Sequence, residues 1–326
     1  MMPIETPAEH GSATGTIATA IRVHSFGGPE VMRLETIELQ SPGSGELLIR
    51  VAAAGVGPWD AWVRSGKSVL PQPLPLTPGS DVAGIVEAVG PHASGFAVGD
   101  EVYGATNARF TNGYATKALV EARMVARKPA ALSFVEAASV PVIAVTAWQM
   151  LFDHAGLVGG KRVLILGAAG GVGSYAVQLA RNAGVYVIAS ARAGPEERLR
   201  ADGADVIVGP LNDPATPLPR DVDAVIDLVG GADQARAMES LVPGGVLISA
   251  VSDPDQDRAK KLGISARFIL VDVNSKVLGQ LAQMFDAGTL RPSVGTILPL
   301  AEAAKAHDLL EGRLPRPPGK IVLQIG

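Results

Sequence analysis

The residues best equipped for chemistry lie in one run, 162–192, R-V-L-I-L-G-A-A-G-G-V-G-S-Y-A-V-Q-L-A-R-N-A-G-V-Y-V-I-A-S-A-R. Ala168, Gly170 and Gly173 occupy the three small-residue positions of a G-x-G-x-x-G turn, with Gly171 and Val172 between the last two. Residues without bulky side chains let the backbone approach a pyrophosphate, and a helix that starts there aims unpaired N–H groups and its positive dipole end at phosphate oxygens. The preceding 162–166 is an apolar, β-branched strand, the following helix stops at Asn182-Ala183-Gly184, and 185–189 is a second strand. That β-α-β context turns the pattern into a dinucleotide site; without it the same glycines would be an ordinary connection.

The end of the second strand selects the cofactor. An NAD site places Asp or Glu there to accept from ribose hydroxyls, whereas this chain has Ser190-Ala191-Arg192, a hydroxyl donor and a guanidinium suited to a 2′-phosphate. NADPH is therefore expected, with a solvated loop arginine as the other reading of Arg192. The nearest acids, Glu196 and Glu197, fall in the next turn or helix.

Around this unit the chain has room for two domains, since 326 residues exceed what one hydrophobic core usually holds. The net charge of −4, with both signs interspersed, carries no footprint for nucleic acid. The chain has no cysteine, hence no disulfide and no thiolate zinc site, which suits a reducing cytoplasm. No signal peptide or apolar span of membrane length is visible, so no membrane association is expected. His10, His24, His92, His154 and His307 show no metal-ligand spacing.

In chain order, 1–15 reads as a disordered leader, ending by 18. Strands at 20–25, 32–39 and 46–54, a short helix at 58–64, a strand pair within 79–90 and a strand at 99–104 suggest a small barrel. Beyond the second Rossmann strand come a helix at 195–202, a strand at 205–208, a loop at 209–220 and a strand at 223–227. Val229 and Gly230 then bring flexible backbone to the carboxyl edge of the sheet, where open α/β sheets bind ligands. A helix at 232–241, a turn at 243–245, and strands at 246–250 and 267–271 complete that sheet. Helix 275–287, strand 297–300, helix 301–311 and strand 320–325 rejoin the first domain. The division expected is leader 1–18, a first domain 19–140, a dinucleotide-binding domain 141–273 and a return to the first domain at 274–326.

The stretches P-G-S-D-V-A-G-I-V-E-A-V-G at 78–90, G-D-E-V-Y-G at 99–104, N-G-Y-A-T at 112–116, A-A-S-V-P-V-I-A-V-T-A-W at 137–148 and the A-A-G-G-V-G turn together resemble the medium-chain dehydrogenase/reductase superfamily, in its zinc-free quinone oxidoreductase-like branch. The resemblance implies an α/β fold: a GroES-like β-barrel domain with an inserted Rossmann doubly wound parallel sheet. It implies Thr146, Ser252, Phe268, Ile269, Leu270 and Lys320 around the cofactor, although 268–270 reads equally as a plain buried strand. The family segment G-V-N-P-x-D appears here as Gly55-Val56-Gly57-Pro58-Trp59-Asp60, so Gly57 stands where an asparagine often lies near nicotinamide or substrate, and Trp59 with Asp60 is assigned to the substrate pocket.

The activity implied is NADPH-dependent hydride transfer to a quinone or α,β-unsaturated carbonyl compound without zinc, in a cytoplasmic homodimer that pairs through 265–273. An enoyl-thioester reductase and a non-catalytic NADPH-binding regulatory protein are the alternatives. A conjugated acceptor takes hydride into a delocalised anion and needs less Lewis-acid help than a simple ketone. No general acid stands out. Tyr103 and Tyr114 are weak candidates, since strand tyrosines more commonly pack; water or a cofactor ribose hydroxyl is the other source of the proton.

Overall fold

A computed structural model describes residues 15–70 and 72–326. Most of the expected leader, 1–14, lies outside the described residues, and β1 (Thr16–Val23) already begins at Thr16, so the expected boundary at 18 is corrected. β1 pairs antiparallel with β2 (Met32–Leu39) along their whole lengths, from Thr16 opposite Leu39 to Val23 opposite Met32. β3 (Glu46–Val56) runs into α1 (Pro58–Ser65), whose proline at the first helical position needs no N–H partner. β4 (Asp81–Val89), β5 (Glu101–Ala105), β6 (Lys117–Glu121) and β7 (Val125–Arg127) follow. β4 is one strand where a strand pair was expected. Its central Gly84 is a point of close approach and not a turn, because a Cβ there would overlap the Arg50 carbonyl oxygen on β3.

α2 (Phe134–Ala138) is closed by a reciprocal cap between Ser133 and Glu136, and α3 (Pro141–Trp148) continues as a π-helical turn, Gln149–His154. Then come β8 (Arg162–Leu166), α4 (Gly171–Asn182), β9 (Tyr186–Ser190), α5 (Glu196–Asp202), β10 (Val206–Val208), β11 (Val222–Asp227), α6 (Gly231–Ala237), β12 (Leu241–Ser249), α7 (Gln256–Leu262) and β13 (Ser265–Phe268). The six strands pair in parallel in the order β10-β9-β8-β11-β12-β13, the order of a doubly wound dinucleotide-binding sheet. Alternate residues of β8 serve opposite faces: Val163 and Ile165 join one core, Leu164 and Leu166 another. This is why the strand is apolar at every position from 163 to 166.

Two expectations change in this sheet. The turn at 243–245 is a bulge inside one strand, the register against β11 jumping from Val222–Leu241 to Ala224–Val246. The last strand ends at Phe268 instead of 271, because β12 ends at Ser249, opposite Phe268, and has no further ladder to offer.

α8 (Ser275–Asp286), β14 (Val294–Pro299), α9 (Ala303–Leu310) and β15 (Lys320–Gln324) end the chain. β15 pairs with both β14 and β3, giving a barrel sheet in the order β14-β15-β3-β4-β5-β7, with β6 on β3. The two ends of the chain therefore share one core, which includes Leu47, Ile49, Val82, Tyr114, Ala306 and Leu323.

Helix α4 sits so tightly on the turn after β8 that a Cβ at Gly173 would lie 2.7 Å from the Ala168 Cα and overlap the Gly167 carbonyl oxygen. Backbone cannot yield there as a flexible side chain would. Gly173→Ala is expected to lower unfolding stability by about 2–3 kcal/mol, read by urea denaturation of the protein without cofactor.

Candidate active site

A groove of about 880 Å³ opens along the carboxyl edge of the parallel sheet. Gly167 and Gly170 line its floor, Ser190 and Arg192 the end of β9, and Val229 the turn after β11. Gly167 makes the turn with a φ of +73°, so the left-handed residue stands one place before the expected motif; Ala168 is buried beneath it. Gly170 has extended backbone and precedes α4 as its cap. A Cβ there would find only the Gly167 carbonyl oxygen, 3.3 Å away. A side chain at 170 would be crowded by that one oxygen, whereas at 173 it would overlap backbone, and Gly170 itself lines the groove. Gly171 and Val172 form the first turn of α4, where backbone N–H groups lack helical partners.

Ser190 departs from its expected role. Its hydroxyl donates to the Gly209 carbonyl at 2.9 Å, so its proton is committed within the fold. Cationic recognition at this end falls to Arg192, which is exposed, and to Arg198, which also lines the groove and donates to the Ala169 carbonyl at 2.7 Å. Two of the acids nearby are bonded to backbone. Glu196 accepts from the Gly194 N–H, which holds its carboxyl below the ordinary value, and Asp233 accepts from the N–H groups of Leu211 and Asn212.

The turn after β11 is shaped by Asp227, a buried residue that the motif reading missed. Its carboxylate accepts from the N–H groups of Val229 and Gly230, from Gln234 and from the Ser249 hydroxyl. Ser252 stands beside this turn, its hydroxyl oxygen 3.1 Å from where a Gly230 Cβ would be. Thr146 is buried on α3 and donates to the Val142 carbonyl, Phe268 ends β13, Ile269 is buried and Leu270 is exposed. None of these four lines the groove.

On the barrel side, Lys320 at the start of β15 forms a buried ion pair with Asp81 on β4, 2.9 Å, and its Nζ lies 4.4 Å from the Trp59 ring centre. The second Asp81 oxygen accepts from the Val142 N–H in the first turn of α3. The Trp59 indole N–H donates to Ser80 at 2.9 Å. A Cβ at Gly57 would overlap the indole, so this tryptophan requires glycine two places earlier.

Asp60, Tyr103 and Tyr114 are corrected. Tyr103 is fully buried and donates to the Leu278 carbonyl at 2.7 Å; burial raises its pKa far above the ordinary phenol range. Tyr114 is equally buried and donates to Asp60 at 2.9 Å. Asp60 has no open face: it accepts from the Gly57 N–H at 2.8 Å and thereby caps α1, while its other oxygen has no partner. The cluster continues inward. Arg64 donates to His307 Nδ1 at 2.8 Å, so the ring proton is on Nε2, which faces the Tyr114 oxygen at 3.3 Å. These groups are packed within the barrel and hold α1 against α9.

Residues 43–130 match the family described as alcohol dehydrogenase GroES-like domain, and 202–323 the family described as zinc-binding dehydrogenase. A quinone oxidoreductase of Sus scrofa is 35% identical, over 92% of this chain and 97% of that protein. The chain belongs to the medium-chain dehydrogenase/reductase superfamily, quinone oxidoreductase-like branch. A 2-methylene-furan-3-one reductase of Solanum lycopersicum is 32% identical, over 99% of this chain and 85% of that one. The structure of the quinone oxidoreductase from Coxiella burnetii aligns with a TM-score of 0.85 at 31% identity, covering 95% of this chain and 100% of that one. As a member of this superfamily the chain is an oxidoreductase that binds a nicotinamide cofactor, and the groove fits one: the α4 N-terminus faces space left open by Gly170. A zinc ion does not fit the donors present. The chain has no cysteine, and among the described residues no three His, Asp or Glu side chains gather as a metal would need.

Arg198, Asn212 and Pro318 also line the groove and were not anticipated. Arg198 and Asn212 follow strand ends of the parallel sheet, a position that carries a signal; Pro318 comes from the barrel and carries none.

The buried cluster has a measurable pH signature. Burial pushes the Asp60 carboxyl up to about 7, against the Gly57 N–H and the Lys320 charge, from an ordinary 3.8. Between those values the native state holds a proton that the unfolded chain has lost, so this group's contribution to stability falls as pH rises from about 4 to about 7. Burial and the Arg64 charge hold His307 down to about 3, from 6.5, and its contribution falls in the opposite direction, as pH drops from about 6.5 to 3. Asp60→Asn keeps an acceptor for Gly57 and removes only the first effect. Its melting temperature relative to the unmodified protein is expected to climb between pH 5 and pH 8 in thermal scans; a difference independent of pH would contradict it.

Proposed function

We propose that the chain is an NADPH-dependent, zinc-independent reductase of quinones or α,β-unsaturated carbonyl compounds. The observation that carries the cofactor choice is the pair of guanidinium groups, Arg192 and Arg198, on a groove where Glu196 and one oxygen of Asp233 are already bonded to backbone N–H groups. A 2′-phosphate gains charge-assisted hydrogen bonds from such a pair. Arg192→Ala and Arg198→Ala are each expected to raise the NADPH dissociation constant by about tenfold or more and to change that for NADH by less than about threefold, measured by calorimetry. Equal losses for both cofactors would refute the assignment.

NADPH supplies the hydride when bound. The N–H groups at the start of α4 would hold its pyrophosphate, Gly170 leaves that approach open, and Val229 with Gly230 borders the same groove. The relatives named quinone oxidoreductase and 2-methylene-furan-3-one reductase support a conjugated acceptor. So does the chemistry of the residues: with no zinc donor set to polarise a carbonyl, an acceptor that delocalises the arriving charge is the one this chain can serve. With Tyr103 and Tyr114 committed to Leu278 and Asp60, the proton comes from water or the cofactor ribose hydroxyl. The division after 140 and after 273 belongs to the same reading, supported by a parallel sheet confined to the middle of the chain and a barrel sheet built from both ends. A cytoplasmic homodimer joined at the open edge of β13 belongs to it also.

A panel of quinones, enones, enoyl-thioesters and simple alcohols, assayed with NADPH before and after dialysis against a strong chelator, tests the function. Turnover of quinones or enones that survives chelation, with no stoichiometric zinc by elemental analysis, is expected. Loss of activity with removal of one zinc per chain, or efficient oxidation of simple alcohols, would overturn it.

A further inference from the structure

The Trp59 indole is fixed from three directions. Its N–H is bonded to Ser80, which is fully buried, and Lys320 sits 4.4 Å from the ring centre, itself held by the buried Asp81. The third constraint is Gly57, whose missing side chain leaves the volume that the indole fills. The position of the ring is equally defined. Asp81 reaches the first turn of α3, and Ile143 on that helix lies 3.3 Å from where a Gly171 Cβ would be, at the start of α4. Lys320 follows by two residues Pro318, which lines the cofactor groove. The indole thus stands at the junction of barrel and parallel sheet, partly exposed, on the first turn of a capped helix.

We propose that Trp59 is the specificity-determining residue of the acceptor site, a pre-positioned aromatic wall that selects flat, conjugated ring acceptors over open-chain ones. This rests on the reductase reading above. An electron-rich indole and an electron-poor quinone ring have complementary charge distributions and stack with an offset, a gain that an open-chain enone of small area does not share. Because the ring is already held by Ser80 and Lys320, little side-chain entropy is lost when an acceptor lies against it. A polar side chain at position 57 would displace the indole and trade stacking for a hydrogen bond.

The test uses menadione and phenanthrenequinone as ring acceptors and ethyl vinyl ketone as the open-chain acceptor. Trp59→Ala is expected to raise KM for both quinones by about tenfold with kcat little changed, and to leave ethyl vinyl ketone within about threefold. Trp59→Phe should recover most of the loss, and Gly57→Asn should reproduce it by displacing the indole. Losses of the same size for both classes, or no loss, would overturn the proposal. A binding measurement separates this from the fate of the reductase reading. Menadione titrated onto the protein loaded with oxidised cofactor should quench tryptophan fluorescence saturably, and Trp59→Phe should lose most of that quenching. If no acceptor turns over while the Trp59-dependent quenching persists, the reductase reading fails and the aromatic wall stands. Identical quenching in both proteins, or none, removes the wall.

Discussion

The ion pair between Asp81 and Lys320 joins three parts of the chain. Lys320 opens the last strand, Asp81 opens β4, and the second Asp81 oxygen caps α3, the helix that leads into the parallel sheet. Both side chains are removed from water, and burial raises the Asp81 pKa against the pull of Lys320. Neither charge is tolerable there alone: removing one partner of such a pair commonly costs ~3–5 kcal/mol. The pair therefore fixes the register of the chain's C-terminal end on the barrel, and with it the side of the cleft on which Trp59 rests.

The groove divides its small residues by task. Gly173 is demanded by backbone packed against it, whereas Gly170 meets only the Gly167 carbonyl oxygen and lines the groove. Asp227 belongs to the first kind of task. Its four donors fix the turn carrying Val229 and Gly230, so flexible-looking sequence is held in one shape by a carboxylate at the end of β11. Cationic recognition is divided as well: one guanidinium is on the strand end and the other on the following helix, where it also closes over the Ala169 carbonyl.

Inside the barrel, polarity serves architecture. Arg64, His307 and Tyr114 form a directed series in which each donor has a defined acceptor, and the series ends on Asp60, which also accepts from the Gly57 N–H before α1. It holds a helix from the first part of the chain against one from the last. The tyrosine that sequence placed among proton donors is one link of this series. Its proton is spent on Asp60, and its burial keeps it from any substrate.

The dinucleotide turn, the order of strand and helix around it, the absence of thiolate ligands and the family motifs were legible in the sequence because each depends on residues close together in the chain. The apolar run of β8 and the stop at Gly184 owe nothing to distant partners. What tertiary structure decided were the relations between distant residues. Ser190 looked like a phosphate donor until Gly209, 19 positions away, took its proton. Residues 79–90 looked like a strand pair until β4 formed as one strand with the Arg50 carbonyl against Gly84. Asp60 looked like a pocket residue until Tyr114 closed over it, and Lys320 gained its partner 239 positions away. Local sequence fixes backbone propensity and face; which donor meets which acceptor, and which side chain remains exposed to a ligand, is set only when the barrel closes with strands from both ends of the chain.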